Sequence, residues 1–235
     1  RYGSDKPDLR FGLEIQDATE VTRGSEFGVF AGAPILRFLV VPQELSRGDL
    51  AKLEDFAKEW GAKGLAYLVV GADGEVRSPI AKFLSPAEID AVAAPPGSTA
   101  LFVADELAVV ERVLGALRLH LGRELGLVDE AIDVFHWILD FPLFQLDEET
   151  GRWTFVHHPF TGALEGHEEL IESDPASALS QHYDLVWNGW ELGSGSIRIH
   201  RSDVQARVFR AMGMTDDEAT AKFGWFLQAL QMGAP

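Results

Sequence analysis

Cysteine is absent from all 235 residues of the chain, which excludes disulfide bonds, thiolate metal sites and a cysteine nucleophile. No apolar run reaches the roughly 18 residues that a membrane span needs, and no signal-peptide pattern opens the chain. Positive charge is scarce, since 20 Lys and Arg stand against 37 Asp and Glu for a net charge of −17. This balance argues against a protein that coats nucleic acid, so any contact with a polyanion needs a local positive patch.

The remaining composition is typical of a folded protein. Hydrophobic residues make up 46% of the chain and aromatics 10%, enough to bury one large or two modest cores. Alternating apolar residues predict strands at 11–15, 36–41, 65–70, 99–103, 135–139 and 153–156. Capping sequences predict helices that start after Ser46, Ser85 and Thr215, and an apolar stripe predicts a long helix over 107–125. Strands and helices alternate from about residue 35, which indicates an inserted α/β unit.

The stretch from Asp184 to His200 concentrates polar side chains in two extended runs. Asp184 and Glu191 are seven residues apart, and an odd offset on one strand places two residues on opposite faces unless a bulge intervenes. Gly189 is a candidate for that bulge. In the second run, 196–200, Ile197 and Ile199 are predicted to share a face opposite Arg198. Two carboxylates and a guanidinium suit a hard cation beside an anionic substrate, and an ordinary solvated hairpin is the alternative.

His157 and His158 are neighbours in the chain. Adjacent residues of a strand point in opposite directions, so the two imidazoles are not expected to chelate one metal. One is expected to be packed and the other to face a site. The sequence has no Ser-His-acid set and no Walker loop, so neither motif indicates a competing chemistry.

Four segments occur in an order that resembles one family. They are Arg1-Tyr-Gly-Ser-Asp-Lys-Pro-Asp-Leu-Arg10, Asp140-Phe-Pro-Leu-Phe144, His157-His-Pro-Phe-Thr161 and Glu191-Leu-Gly-Ser-Gly-Ser-Ile-Arg-Ile-His200. Together they look like bacterial-type aspartyl-tRNA synthetase over the whole chain. The resemblance implies an α+β fold, in which a partial class II synthetase antiparallel sheet flanked by helices receives a smaller α/β insertion, the GAD domain. Residues 1–29 and 128–235 would be two parts of the catalytic domain, and 30–127 the insertion.

The resemblance also implies roles for the residues that bind L-aspartate. Arg198 is similar to the arginine that pairs with the side-chain carboxylate of the amino acid. His157 resembles the histidine of a mobile loop that closes over the bound aspartate, and His158 stands as its structural neighbour in the same substrate-binding segment.

The ATP half of the site is implied in the same way. Glu191 resembles the acid that holds ATP through Mg²⁺, and Asp184 looks like its partner ligand. Ser194 stands where the bacterial pattern more often has glycine, and its small hydroxyl would reach phosphate or a metal-bound water.

The implied function is an aspartate-tRNA ligase that uses L-aspartate, ATP with Mg²⁺ and tRNA-Asp, works as a cytoplasmic homodimer and does not associate with a membrane. A non-catalytic tRNA-binding or scaffolding fragment, like the GAD-containing amidotransferase subunits, is the alternative. A generic magnesium-dependent hydrolase is a third class, supported by Asp184 and Glu191 alone. The synthetase reading is favoured because His157 and Arg198 are present as well.

The family's arginine-bearing motif for the α-phosphate and its glycine-rich, arginine-bearing ATP motif have no counterpart in these residues. We therefore expect the 235-residue chain alone to form no aspartyl-adenylate. Aspartate-dependent ATP–pyrophosphate exchange measures this directly, with a chain extended at both ends as the positive control. Exchange catalysed by the isolated segment would contradict the expectation.

Overall fold

Capping sequences start three helices at the predicted positions. At Ser46, Ser85 and Thr215 the side-chain oxygen accepts the backbone N–H three residues on, and the acidic side chain there accepts the capping residue's own N–H. Each reciprocal pair satisfies two donors that a helix end otherwise leaves without partners. These elements belong to a computed structural model that describes residues 1–233. The chain divides into two compact units, 1–134 and 135–235.

The first unit is an antiparallel sheet with helices on both faces. Its strands are β1 (Gln16–Asp17), β2 (Ile35–Val41), β3 (Ala66–Val70), β4 (Val76–Arg77) and β5 (Ser98–Asp105), in the order β1-β2-β5-β3-β4. Its helices are α1 (Gly28–Ala31), α2 (Arg47–Glu59), α3 (Pro86–Val92) and α4 (Leu107–Glu124), with a 3₁₀ turn at Ala81–Phe83. Helices α2 and α4 pack on one face of the sheet, and α1 and α3 contribute to a second core on the other face.

The strand predicted over 11–15 is wrong, because the carbonyl groups of this segment bind a buried arginine instead of a neighbouring strand. Arg118 of α4 is 1% exposed. Its guanidinium donates at 2.8–3.1 Å to the carbonyl oxygens of residues 8, 11, 12 and 13. Burial lowers the pKa of Arg118 from its ordinary value. The carbonyl dipoles and the rings of Tyr2 and Phe11, 4.9 and 4.2 Å from the guanidinium carbon, replace water around the cation.

Two glycines of α4 let the first segment of the chain lie directly on the helix. A Cβ at Gly115 would stand 2.4 Å from the carbonyl oxygen of Gly3, and a Cβ at Gly122 would stand 2.6 Å from the ring of Phe11. Positions 115, 118 and 122 share one helix face. The segment that contains the first of the four motifs, residues 1–10, therefore packs along one face of α4.

The second unit combines a three-stranded antiparallel sheet, a separate hairpin and helices. Its strands are β6 (Phe135–Ile138), β7 (Phe144–Asp147), β8 (Arg152–Phe155), β9 (His182–Trp187) and β10 (Trp190–Ser196). The sheet has the order β10-β9-β6, and β7 pairs with β8. Its helices are α5 (Leu170–Ser173), α6 (Ser202–Ala211) and α7 (Asp216–Gln231), with a 3₁₀ turn at Pro175–Ser177. Val204 and Val208 of α6 join a core with Leu143, Ile171 and Ile199.

Alternation along β9 gives the three-stranded sheet two different faces. His182, Asp184 and Val186 are buried on one face. Trp137 and Trp190, whose cross-strand partners are the odd-numbered residues of β9, are 58% and 71% exposed on the other. The polar residues of β9 therefore lie on its buried face.

The α+β class predicted from the sequence is confirmed, since antiparallel sheets and helices make up both units. No helix among residues 1–233 is both long and apolar enough to cross a membrane. The proposed division at residues 29 and 127 stays a prediction, and the first compact unit contains residues 1–29 together with 30–127.

Replacing Arg118 with Met should destabilise the protein. The substitution keeps the aliphatic part of the side chain but removes the donor to four carbonyl groups, and each buried group left without a partner costs roughly 1–3 kcal/mol. Because the substitution also removes the cost of burying a cation, we expect the free energy of unfolding to fall by a net amount of about 2–4 kcal/mol. Denaturant unfolding measures the loss. Arg123→Met, at an exposed position of the same helix, is the matched control, and equal stability of the two variants would contradict the role given to Arg118.

Candidate active site

The hairpin of β9 and β10 organises the site. Asn188 and Gly189 connect the strands, and both have positive φ angles, 49° and 86°. Asn-Gly in these conformations favours a two-residue type I′ turn, whose twist matches that of the strands. The turn pairs Trp187 with Trp190 and Val186 with Glu191. These two pairs fix the register of the hairpin next to its turn.

Asp184 and Glu191 share a face of the sheet. The prediction that they lie on one strand is wrong, because the turn at 188–189 places them on two paired strands. Glu191 lies opposite Val186, and Val186 is two residues from Asp184 on the same face. The odd offset therefore places both side chains on one face of the sheet. As diagonal neighbours across the hairpin, their Cα atoms are expected to be roughly 7–8 Å apart.

A bulge is present, but at Leu192 and not at the predicted Gly189. The register shifts between Glu191 and Gly193, so that Ser194 pairs with Asp184. If the register did not shift, Gly193 would lie opposite Asp184, and the side chain of Ser194 would point to the exposed aromatic face. The bulge therefore brings Ser194 to the face of the two carboxylates.

Strand β10 ends at Ser196, so the second predicted run is not a strand of this sheet. The N–H of Ile199 donates to the carbonyl of Phe160 at 2.9 Å, and the carbonyl of Ile197 accepts the N–H of Gly162 at 2.8 Å. Ile197 is exposed and Ile199 is buried, so the prediction that they share a face is also wrong. This change of partner holds Arg198 beside the loop that contains the two histidines.

Arg198 and His158 form a direct contact. Nη1 of Arg198 lies 2.9 Å from Nδ1 of His158. Because a guanidinium only donates, Nδ1 must accept, and it also accepts the N–H of Phe160 at 3.2 Å. Burial lowers the pKa of His158, and the nearby charge of Arg198 lowers it further. His158 therefore presents a neutral imidazole to an exposed arginine.

His157 belongs to a cluster of three rings. It stacks on His182, with ring centroids 3.3 Å apart and planes 14° apart. The ring of Phe141 meets both imidazoles edge-on, at 5.0 Å from each. His157 and His158 are both half-buried and lie beyond the end of β8, so strand alternation does not set the directions of their rings. The expectation that one is packed and one faces the site stays a prediction.

His182 was missed by the sequence reasoning. It is 6% exposed, and its Nε2 lies 3.0 Å from Oδ1 of Asp184. The available signal was its position two residues before Asp184, because such residues of a strand share a face. His182 thereby joins the predicted metal-binding acid to the predicted substrate-binding histidine.

The acids on this face fit a magnesium ion carried by a nucleotide. Described residues 1–233 contain no group of three His, Cys, Asp or Glu side chains placed to hold a metal, so a cage made only of protein ligands is not formed there. Mg²⁺ in nucleotide sites is typically bound by one or two carboxylates, with phosphate and water as the remaining ligands. Asp184 and Glu191 are two carboxylates on one face of the hairpin, which is the kind of ligand pair that such a site uses.

The relatives that match the whole of this chain include three aspartate–tRNA ligases. An aspartate–tRNA(Asp/Asn) ligase of Nitratidesulfovibrio vulgaris is 47% identical over 240 residues, which are 39% of its own length. An aspartate–tRNA ligase of Geobacillus kaustophilus is 47% identical, with 42% of its length covered. An aspartate–tRNA(Asp/Asn) ligase of Saccharopolyspora erythraea is 46% identical, with 41% covered. The chain thus spans about two fifths of the length of these relatives.

The family match covers the full length of this chain. Residues 1–235 match the family described as tRNA synthetases class II (D, K and N). The match includes both compact units as well as the hairpin that carries the two acids. The chain therefore belongs to the class II tRNA synthetases of the D, K and N group.

Proposed function

We propose that this chain is the part of an aspartate-tRNA ligase that binds L-aspartate and Mg²⁺-ATP. The observation that supports this most is the guanidinium of Arg198, exposed and held by the neutral imidazole of His158 at 2.9 Å. An arginine that is positioned but not neutralised is suited to a carboxylate ligand. The relatives are named aspartate ligases, which fits a dicarboxylic amino acid as that ligand.

The guanidinium explains how aspartate would be chosen over asparagine. The planar group of Arg198 donates two parallel hydrogen bonds to a carboxylate. An asparagine side chain offers one acceptor oxygen and places an NH₂ donor against a second donor. This mismatch leaves a donor unpaired, which rejects the amide as effectively as the matched pair attracts the acid. His157 lies in the same loop as His158 and is proposed as the second contact to aspartate.

Asp184, Glu191 and Ser194 are proposed to hold the nucleotide. The two acids would share Mg²⁺ with phosphate oxygens of ATP, and Ser194 would donate to a phosphate or to a metal-bound water. When bound, the ion neutralises charge on the phosphates. No protein nucleophile or general base is proposed, because this type of chemistry depends mainly on positioning and on charge stabilisation.

The proposed reaction has two steps. An oxygen of the aspartate α-carboxylate attacks the α-phosphorus of ATP, the bond from that phosphorus to the β-phosphate oxygen breaks, and pyrophosphate leaves. A hydroxyl of the terminal adenosine of tRNA-Asp then attacks the aspartyl carbonyl, and the bond from the carbonyl carbon to the phosphate oxygen breaks. AMP leaves, and the hydroxyl proton passes to an oxygen of its phosphate. In the first step Arg198 fixes the side-chain carboxylate, so that the α-carboxylate is the one presented to ATP.

The setting of the chain is proposed from the same family. Residues 30–127 would be a GAD insertion between catalytic parts 1–29 and 128–235. The complete protein would act as a homodimer in the cytoplasm and would require further segments for activity, since the chain spans about two fifths of the relatives' length.

Arg198→Ala in the complete protein should abolish selection of the dicarboxylic substrate. Loss of a bidentate, charge-assisted pair is expected to raise the KM for aspartate by about 100-fold or more, with the KM for ATP changed far less. Aspartate-dependent ATP–pyrophosphate exchange, repeated with asparagine, measures both effects. Arg201→Ala is the matched control, because Arg201 pairs with Glu168 and Asp203 at the surface. An Arg198→Ala protein that still prefers aspartate over asparagine would refute the assignment.

A further inference from the structure

His182 contacts both proposed halves of the site. It is buried in β9, and its Nε2 lies 3.0 Å from Oδ1 of Asp184. Its ring stacks on His157 at 3.3 Å. Asp184 is assigned to the nucleotide and its metal, and His157 to aspartate. One buried side chain therefore touches a residue of each half.

The hydrogen bond has a defined direction. An ionised carboxylate only accepts hydrogen bonds, so Nε2 of His182 donates to Asp184. The other ring nitrogen, Nδ1, is buried and has no hydrogen-bond partner among residues 1–233. The bond to Asp184 is thus the polar contact that orients the ring, and the same bond restrains the carboxylate. With Oδ1 engaged by His182, Oδ2 is the oxygen left for a cation.

The ring contact restrains the second partner. Two nearly parallel imidazoles, 14° apart, with Phe141 edge-on against both, limit rotation of His157 about its side-chain bonds. His157 lies two residues after Phe155, the last residue of β8. The stacking on His182 connects the ring of His157 to a buried strand of the sheet.

We propose that His182 is a positioning residue that couples the aspartate half of the site to the nucleotide half. It acts on Asp184 through a hydrogen bond and on His157 through stacking, and it does not touch the reacting atoms. The inference rests on the proposed function, because the two partners are assigned to substrates there. Partners that orient a ligating carboxylate or histidine typically affect metal affinity by about 10–100-fold.

Two substitutions separate the two contacts. His182→Gln keeps an N–H donor near the position of Nε2 but removes the ring. His182→Phe keeps a flat ring and removes the donor. His182→Ala removes both. All are made in the complete protein, and calorimetry measures the dissociation constants of aspartate without nucleotide and of Mg²⁺-ATP without aspartate. His120→Phe is the control, because His120 also stacks on an aromatic ring, that of Phe56, and has no role in the site.

The two variants should have opposite effects. We expect His182→Phe to weaken Mg²⁺-ATP by about 10-fold and aspartate by less than twofold. His182→Gln should weaken aspartate by about fivefold, as for the loss of a ring contact, and Mg²⁺-ATP by less than twofold. His182→Ala should weaken both ligands, and in pyrophosphate exchange the KM for each substrate should rise more than kcat falls. His120→Phe should leave both constants unchanged.

Other outcomes overturn the proposal. If the unmodified protein binds aspartate but His182→Phe and His182→Gln weaken both ligands equally, or neither, the coupling role of His182 is wrong and the proposed function stands. If the unmodified protein binds no aspartate and shows no exchange, the proposed function fails and the inference fails with it. Thermal unfolding of each variant identifies a loss of binding caused by loss of the fold.

Discussion

The two-residue turn at Asn188-Gly189 is the constraint on which the site depends. It places Glu191 opposite Val186, and thus on the face that contains Asp184. One residue more or fewer in the turn would move Glu191 to the face of the exposed Trp190, because side chains alternate at every residue of a strand. The backbone conformations at 188 and 189 favour Asn and Gly for steric reasons. The conformational preference of these two turn residues therefore decides whether Asp184 and Glu191 lie on the same face of the sheet.

The same hairpin controls residues that lie beyond it. After the bulge at Leu192, β10 ends and the chain pairs with the loop of Phe160 and Gly162. A Cβ at Gly162 would stand 3.1 Å from the carbonyl oxygen of Ile197, which is a close approach of the two backbones. Backbone hydrogen bonds therefore join the segment of Arg198 to the loop that follows His157 and His158. The position of the arginine consequently depends on the position of that loop.

Sequence reasoning succeeded where the determining interactions are local. Capping boxes such as that of Ser46 involve residues three apart, and they were predicted correctly. The segment 11–15 alternates like a strand, yet its carbonyls bind Arg118, more than 100 residues away in the chain. The spacing of apolar residues along the sequence contains no signal for such a long-range contact. The family motifs contain the predicted site residues except Asp184. His182 also lies outside those motifs, and its stacking on His157 is seen only in the folded chain.

The partner of Arg198 is the neutral imidazole of His158, and this affects how strongly the guanidinium can bind a carboxylate. A carboxylate in the place of His158 would form a charge-assisted pair, roughly twice as strong as a neutral hydrogen bond, which the substrate would have to displace. An imidazole orients the guanidinium with a weaker acceptor, and the burial and neighbouring charge that lower the pKa of His158 keep that acceptor uncharged. A carboxylate ligand such as the proposed aspartate would then form the stronger bond. Order in the free site and affinity for an acid are therefore compatible, because the residue that positions Arg198 does not satisfy its charge.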